Sequence, residues 1–483
     1  VVALTLLLYL AVLVAIGVAS RRAAAGEEGF LLGGRSLGGA VAALGASASS
    51  SSAWTLLGVS GAAYAWGLSA AWLIVGCVGG FALNWLLVGP VVARAGRRAG
   101  ALTAIDLVAG PRDAPGRRAL VAGLALVVLV SLGAYVGAQL QGAGKTFEAV
   151  FGIPAWQSIL GGAAVVLVYT WLGGFPAVAT TDALQGTVMA LAAVVLPVAA
   201  VGAAGGPAAI AEGLAAVGDP ALLSPLGARP APLGVGFVLG LLGIGLGYPG
   251  QPHVLKYFLA LSDAPGALRR GRALALSWAA VVYVGMIALG LAGRALYPSL
   301  GDGEVVLVVA ARDLLPPAVT GVVLAAVLSA MMSTADSQLF VAASTVTHDL
   351  RLGGGAGGTR VVVALLTSVA AVTATLGSES IFGRVLFGWA AMGASVGPLL
   401  VVRVWWRRRL SNASALAVVA VGALSAAGAH LFFLDLGGAP GLRGVMVHVL
   451  PYVLATGLAL SLAGPPLGVD PELSPSRPRT GTG

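Results

Sequence analysis

Long apolar runs separated by short, arginine-rich polar pieces set the pattern of this chain. They fall near residues 2–20, 38–65, 68–92, 119–143, 157–173, 182–204, 233–255, 273–293, 314–346, 361–377, 381–402, 412–434 and 444–463. Each matches the roughly 17–25 residues that carry an α-helix across a hydrocarbon layer, or exceeds it. Thirteen crossings put the two chain ends on opposite sides of the bilayer. The second and ninth runs are overlong, as expected of helices that are broken or extended. Both also carry polar residues at depth. The run 38–65 is interrupted by Ala46, Ser47, Ala48, Ser49, Ser50, Ser51 and Ser52, and the stretch 319–346 holds Ser329, Ser333, Thr334, Asp336, Ser337 and Gln338. Inside a bilayer, hydroxyls and freed carbonyls are tolerated only where they face protein or line a cavity. Two such interruptions in one chain point to a small-ion site.

Composition supports an all-α polytopic membrane protein. Hydrophobic residues make up 58% and charged residues 9%, against roughly 45–50% apolar and about 25% charged in soluble domains. The single Cys77 excludes an internal disulfide, and no Cys and His cluster is spaced to hold zinc. The net charge of +9 reads as topogenic rather than as a nucleic-acid footprint, because the basic residues sit in short loops between apolar runs. With the first residue outside, all but six of the 27 Lys and Arg residues lie on the cytoplasmic side, the six being Lys145, Arg229, Arg294, Arg312, Arg384 and Arg443. That asymmetry favours an outside N-terminus, a cytoplasmic C-terminus and an inner (plasma) membrane location. The first run ends at Arg21 and Arg22 without a small-residue cleavage site, so it reads as a retained helix and not a signal peptide. Val1 in place of Met leaves open an alternative start codon or a missing leader. No soluble domain is visible. Residues 1–464 form one transmembrane domain, and 465–483 read as a disordered cytoplasmic tail.

Most acidic residues lie in loops, but Asp182 and Asp336 fall against or within apolar runs. A carboxylate at mid-bilayer is unfavourable by about 2.5–3.5 kcal/mol on insertion scales and usually marks an ion or proton pathway. For Asp182 a helix N-cap after Thr180 and Thr181 is the competing reading. Ala330, Ser333, Thr334 and Ser337 recur at i, i+3, i+4 and i+7, one stripe of a helix. The consecutive serines after Gly45 suit instead an unwound turn with exposed carbonyls. A sodium ion takes about five hard oxygens, and freed carbonyls facing two hydroxyls supply most of them.

Several motifs follow one another along the chain: Gly33, Gly34, Arg35, Ser36, Leu37 and Gly38, then Ala48 to Trp54, and Gly58 with Gly61, Ala62, Ala63 and Tyr64. They continue through Thr170 to Phe175, Thr181, Asp182 and Gln185, then Gly245 to Tyr248 with Gly250, Gln251, Pro252 and His253, and end on Met332, Ser333, Thr334, Gln338 and Leu339. In these motifs and their order the chain resembles the sodium/solute symporter family, which includes the sodium/proline and sodium/glucose carriers. The resemblance spans residues 5–463 and is strongest to sodium/proline symporters. It implies a leucine-transporter-like core of two inverted five-helix repeats, 38–204 and 233–402. The first helix of each repeat is then broken, at Ala46–Ser52 and at Gly243–Gly250.

By the same resemblance, sodium would be held by the carbonyls of Ala48, Ser51 and Ala330 and the side chains of Ser333 and Thr334. A second cation or proton site would fall on Asp182, Asp336 and Ser337. Proline carriers have an Asp where this chain has Ser50, and the family often has a hydroxyl where it has Asp336, so the carboxylate is expected to have moved across the cavity. The solute would meet Ser52, Tyr135, Gln139, Ile244, Tyr248 and Pro252. Ile244 stands where proline carriers have Trp, which removes a flat wall and puts proline itself in doubt. Tyr135 and Tyr248 can also be interfacial aromatics, and His253 with Lys256 can cap a helix C-terminus.

The sequence therefore predicts a sodium-coupled secondary symporter, working as a monomer without organic cofactor, ATP or nucleic acid. Its solute is a small organic molecule, an amino acid such as proline or a related carboxylate. No Walker A loop, channel filter motif or catalytic constellation is present. A solute sensor on the same fold is the alternative, disfavoured because such sensors usually append a kinase after the last helix.

Overall fold

The computed structural model describes residues 1–353, 355–376, 381–432 and 443–466. These residues are helical nearly throughout, and β-pairing among them is limited to the isolated bridges Leu37–Leu261 and Arg408–Pro466. A chain this apolar must satisfy its backbone N–H and C=O groups internally, and helices do so within each segment.

Eleven described helices are long and apolar enough to cross a membrane, against thirteen expected runs. The difference lies in two overlong stretches. Ala155–Ala203 is continuous over 49 residues, which as one straight helix would extend about 74 Å, more than twice a hydrocarbon core. It turns at Gly174, where φ is 55° and ψ −152°. A Cβ there would sit 2.7 Å from the Phe30 ring, so only glycine fits both the backbone and the space. The helix resumes immediately, so the run expected to open at 182 is already helical at Phe175. The second stretch, Trp54–Arg98, turns at Gly67.

The two breaks lie where serine, glycine and proline disfavour regular helix. Gly39–Ser49 stops before Ser51 and Ser52, a π-turn follows over Trp54–Gly58, and Val59–Trp66 completes the crossing. The break begins later than Ala46 because the Ala46 carbonyl still accepts the Ser50 N–H at 3.1 Å. The counterpart runs as Ala231–Gly243, a 3-10 turn over Ile244–Gly250, extended Gln251, and Pro252–Ala260. Pro249 inside that turn has no N–H to donate. A Cβ at Gly245 would meet the Gly76 carbonyl at 2.4 Å, so the turn also packs too closely for any side chain there.

Pro317–Ser344 is the central helix, buried from Val323 to Ser344. It packs against Val2–Ala19, Gly39–Ser49, Arg117–Phe151 and Ala155–Ala203. Between apolar runs, residues 205–232 hold the helices Pro207–Ala216 and Pro220–Leu223, and residues 93–118 hold Ala104–Ala109. Gly464 donates its N–H to the Arg409 carbonyl at 2.7 Å, which docks the start of the expected tail. The remainder, 467–483, lies outside the described residues.

Candidate ion and solute site

The first break meets the central helix directly. Ser333 Oγ donates to the Ala48 carbonyl at 3.2 Å, and that carbonyl also accepts the Ser51 N–H at 3.0 Å. Ala48, Ser51, Ala330, Ser333 and Thr334 are all fully buried. Thr334 Oγ1 donates back to the Ala330 carbonyl at 3.0 Å, within its own helix. Around this point the hydroxyls of Ser47, Ser49 and Ser51 are buried without a hydrogen-bond partner. Buried hydroxyls are ordinarily satisfied, so a cluster of open hydroxyl oxygens beside a carbonyl that has left the regular i→i+4 pattern is chemically suited to a hard monovalent cation. Ser50 instead donates to the Ser47 carbonyl at 3.1 Å.

One helical turn further along, two carboxylates face each other. Asp182 Oδ2 accepts Ser337 Oγ at 2.8 Å and the Tyr257 hydroxyl, while Tyr257 lies 3.2 Å from Ser337 Oγ. Asp336 Oδ2 accepts the Tyr169 hydroxyl at 2.5 Å. The two carboxylates interact with each other, and neither Oδ1 meets an N–H or hydroxyl donor. Asp182 is therefore no N-cap: the helix opens at Phe175, and its carboxylate reaches across to other elements. Gly45 makes room for Tyr257, since a Cβ there would lie 2.5 Å from the ring.

The six expected solute residues distribute over the two breaks, the Arg117–Phe151 helix and the helix that follows the second break. Ser52 Oγ accepts the Trp54 N–H at 3.2 Å and lies within hydrogen-bond reach of Tyr135, while Gln139 Oε1 accepts the Ala53 N–H at 3.1 Å. These three residues brace the first break. Tyr248 belongs to the second, stacked edge-on against Trp389 at 4.7 Å and bonded to the Tyr283 hydroxyl at 3.2 Å. Both tyrosines are buried, so they are not interfacial anchors. Ile244 lines a cavity of about 600 Å³, shared with Trp54, Trp66 and Phe237. Pro252 lies apart from these, against Lys256, Ser344 and Asp349 in a space of about 10 Å³. Lys256 is no C-terminal cap: its ammonium sits over the Phe340 ring at 4.2 Å, and both ring nitrogens of His253 are buried without partners.

That small space lies at a tightly laced end of the molecule. His348 bridges Glu27 Oε1 at 2.8 Å and Asp106 Oδ2 at 2.7 Å, and Asp106 Oδ1 accepts Arg117 at 2.7 Å. Thr103 Oγ1 donates to Asp349 at 2.6 Å. Burial works against the Asp106 charge, yet the bond from His348 and the charges of His348 and Arg117 hold its carboxyl below the usual range. Arg35 adds bonds to Glu28 and to the Ala101 and Leu259 carbonyls. The large cavity lies on other elements, between residues 54–66, 231–244 and 443–448.

Residues 30–422 match the profile of the Sodium:solute symporter family. The chain belongs to that family. The symporter is 32% identical over 447 residues to the sodium/proline symporter of Escherichia coli (strain K12), covering 87% of this chain and 86% of that protein. It is 33% identical over 414 residues to the high-affinity proline transporter PutP of Bacillus subtilis (strain 168), covering 82% and 85%. Among solved structures, the substrate-bound outward-open state of a Na+-coupled sialic acid symporter superposes with a TM-score of 0.77 at 18% identity, over 96% of this chain and 98% of that one. A manganese transporter mutant of Eremococcus coleocola gives 0.51 at 16% identity, over 88% and 92%. These likenesses establish the leucine-transporter-like fold. Within it Tyr169 and Tyr257, which the sequence reading passed over, donate to the buried carboxylates of Asp336 and Asp182. Buried tyrosines in apolar helices look like packing, and only the pairing of each with an Asp from another helix reveals otherwise.

Proposed function

We propose that this sodium-coupled symporter holds its driving ion between the first broken helix and the central helix, and imports a small organic solute. The observation that carries this is the Ser333–Ala48 contact among open serine hydroxyls. An ion seated there ties Gly39–Ser49 to Pro317–Ser344, and its loss releases both. The carbonyls of Ala48, Ser51 and Ala330 with the hydroxyls of Ser333 and Thr334 are the ligands of this reading. Asp182, Asp336 and Ser337, with Tyr257, form a second cation or proton site. The membrane potential adds about 2.3 kcal/mol per charge at 100 mV.

Alternating access fits the asymmetry of the ends. In this reading the end with the Glu27–His348–Asp106 bridge is the closed, cytoplasmic one and the end with the 600 Å³ cavity the open, external one, supported by the bridge and the cavity. The core repeats run over 38–204 and 233–402, one chain forming the working unit. Relatives named sodium/proline symporters favour an amino acid or related carboxylate as the solute class, with Ile244 widening the pocket. Uptake into proteoliposomes from labelled amino acids, carboxylates and sugars tests this, with sodium exchanged for choline. Accumulation that requires sodium supports the reading, and equal accumulation in choline contradicts it.

A further inference from the structure

The large cavity has a chemistry that the ion site does not explain. Its wall is aromatic and aliphatic, with Trp54, Trp66, Phe237 and Ile244, but every ionisable side chain on it is basic: Arg229, Arg443, His430 and His448. Among the described residues no Asp or Glu lines it, and neither Arg229 nor Arg443 pairs with a carboxylate. The Arg229 guanidinium lies 3.8 Å from the centre of the Phe237 ring and donates to the Leu226 carbonyl at 3.0 Å, so it is held in place over the cavity. Arg443 and His448 are close enough to interact, and His448 Nδ1 is buried without a partner. Gly240 and Gly444 pack backbone to backbone, which brings the Arg443–His448 helix onto Ala231–Gly243 and both basic groups onto one cavity.

Like charges gathered in a concave, low-dielectric space raise the local concentration of the opposite charge. Guanidinium groups also match a carboxylate in shape and donor geometry. A cavity of about 600 Å³ falls within the usual span for a whole organic ligand, ~300–1,000 Å³. We infer that this cavity is a waiting site for an organic monoanion, its carboxylate against Arg229 and Arg443 and its apolar body between Trp54, Trp66 and Phe237. From there Ile244 and Trp54 lead to the two helix breaks. The assignment rests on the symport reading only for what happens after binding.

The test is equilibrium binding of labelled phenylacetate to the purified full-length protein, with phenylacetamide as its neutral counterpart. Phenylacetate binds saturably and at least about tenfold more tightly than the amide. Arg229→Gln and Arg443→Gln each weaken it about tenfold, while Arg229→Lys and Arg443→Lys retain most of the binding. Size-exclusion profiles matching the parent protein confirm that the variants fold. Equal affinity for anion and amide, or phenylacetate binding unchanged in both Gln variants, overturns the assignment. Ser333→Ala separates the two claims: it abolishes sodium-driven uptake yet leaves phenylacetate binding intact. Loss of sodium dependence in the parent protein would count against symport, and loss of charge discrimination would count against the waiting site.

Discussion

Ser333 Oγ lies 3.2 Å from the Ala48 carbonyl, although 285 residues separate the two in the chain. The contact joins the serine tract, where the first broken helix leaves its regular bonding, to a helix buried from Val323 to Ser344. In the proposed reading, a single ion seated at this junction would sense the relative position of both elements.

Tyr257 donates to Asp182 and touches Ser337, so its hydroxyl orients the proposed second site. Tyr257→Phe keeps the ring against Phe175, 5.2 Å away between centroids, and removes only the hydroxyl. Apparent sodium affinity in uptake falls about tenfold, the equivalent of ~1.4 kcal/mol, with expression unchanged. A sodium titration superimposable on that of the parent protein would show that the hydroxyl is only packed there.

Gly45→Ala reaches the same tyrosine from the other side. The added Cβ would stand 2.5 Å from the Tyr257 ring and 3.3 Å from the Ala179 carbonyl, and overpacking of this kind typically destabilises by about 1–3 kcal/mol. A lower thermal midpoint in detergent is expected, together with the sodium defect of Tyr257→Phe. A normal midpoint and normal sodium dependence would mean that Tyr257 has room to move.

Asp336 supplies a second carboxylate beside Asp182 with no buried cation bonded to either among the described residues. If each must be neutralised in every cycle, Asp336→Asn lowers the charge moved per solute by about one, measured from solute-evoked currents on solid-supported membranes. An unchanged ratio, or full ion dependence in Asp336→Ala, would leave Asp336 a structural partner of Tyr169.

The His348 bridge laces the end proposed to be closed, and its removal can be read with a thiol because the only native cysteine, Cys77, is buried. Ala104→Cys, beside the small closed space, reacts with a maleimide several-fold faster when combined with His348→Ala. The acid limb follows from Asp106, whose carboxyl is held below the usual range. Its stabilising contribution is fully present above the unfolded carboxylate value of about 3.9 and is lost as pH falls through the lower folded value. Labelling that stays equally slow without His348 would place the closure elsewhere.

Much of this architecture was legible as a pattern. Apolar runs placed the crossings, and Gly243–Gly250 and the serine tract placed both breaks, because glycine, proline and serine act on the backbone locally. The Ser333 stripe was readable from helical spacing alone. What escaped was long-range. Phe175 begins its helix seven residues before Asp182 because Gly174 makes the turn at once, which removes the N-cap reading. Tyr169 and Tyr257 gain meaning only when Asp336 and Asp182 arrive from other helices. Pro252 shares a helix with Lys256 and packs beside it, on the closed side, which no local signal records.

Binding of radioactive sodium to the purified protein, compared between the parent chain and Ser333→Ala, tests the central junction most directly. The account predicts saturable binding in the parent and a loss of at least about tenfold in affinity in the variant, since a ligand to a charged species is worth roughly 1.5–3 kcal/mol. Sodium binding of equal affinity in both proteins would contradict it.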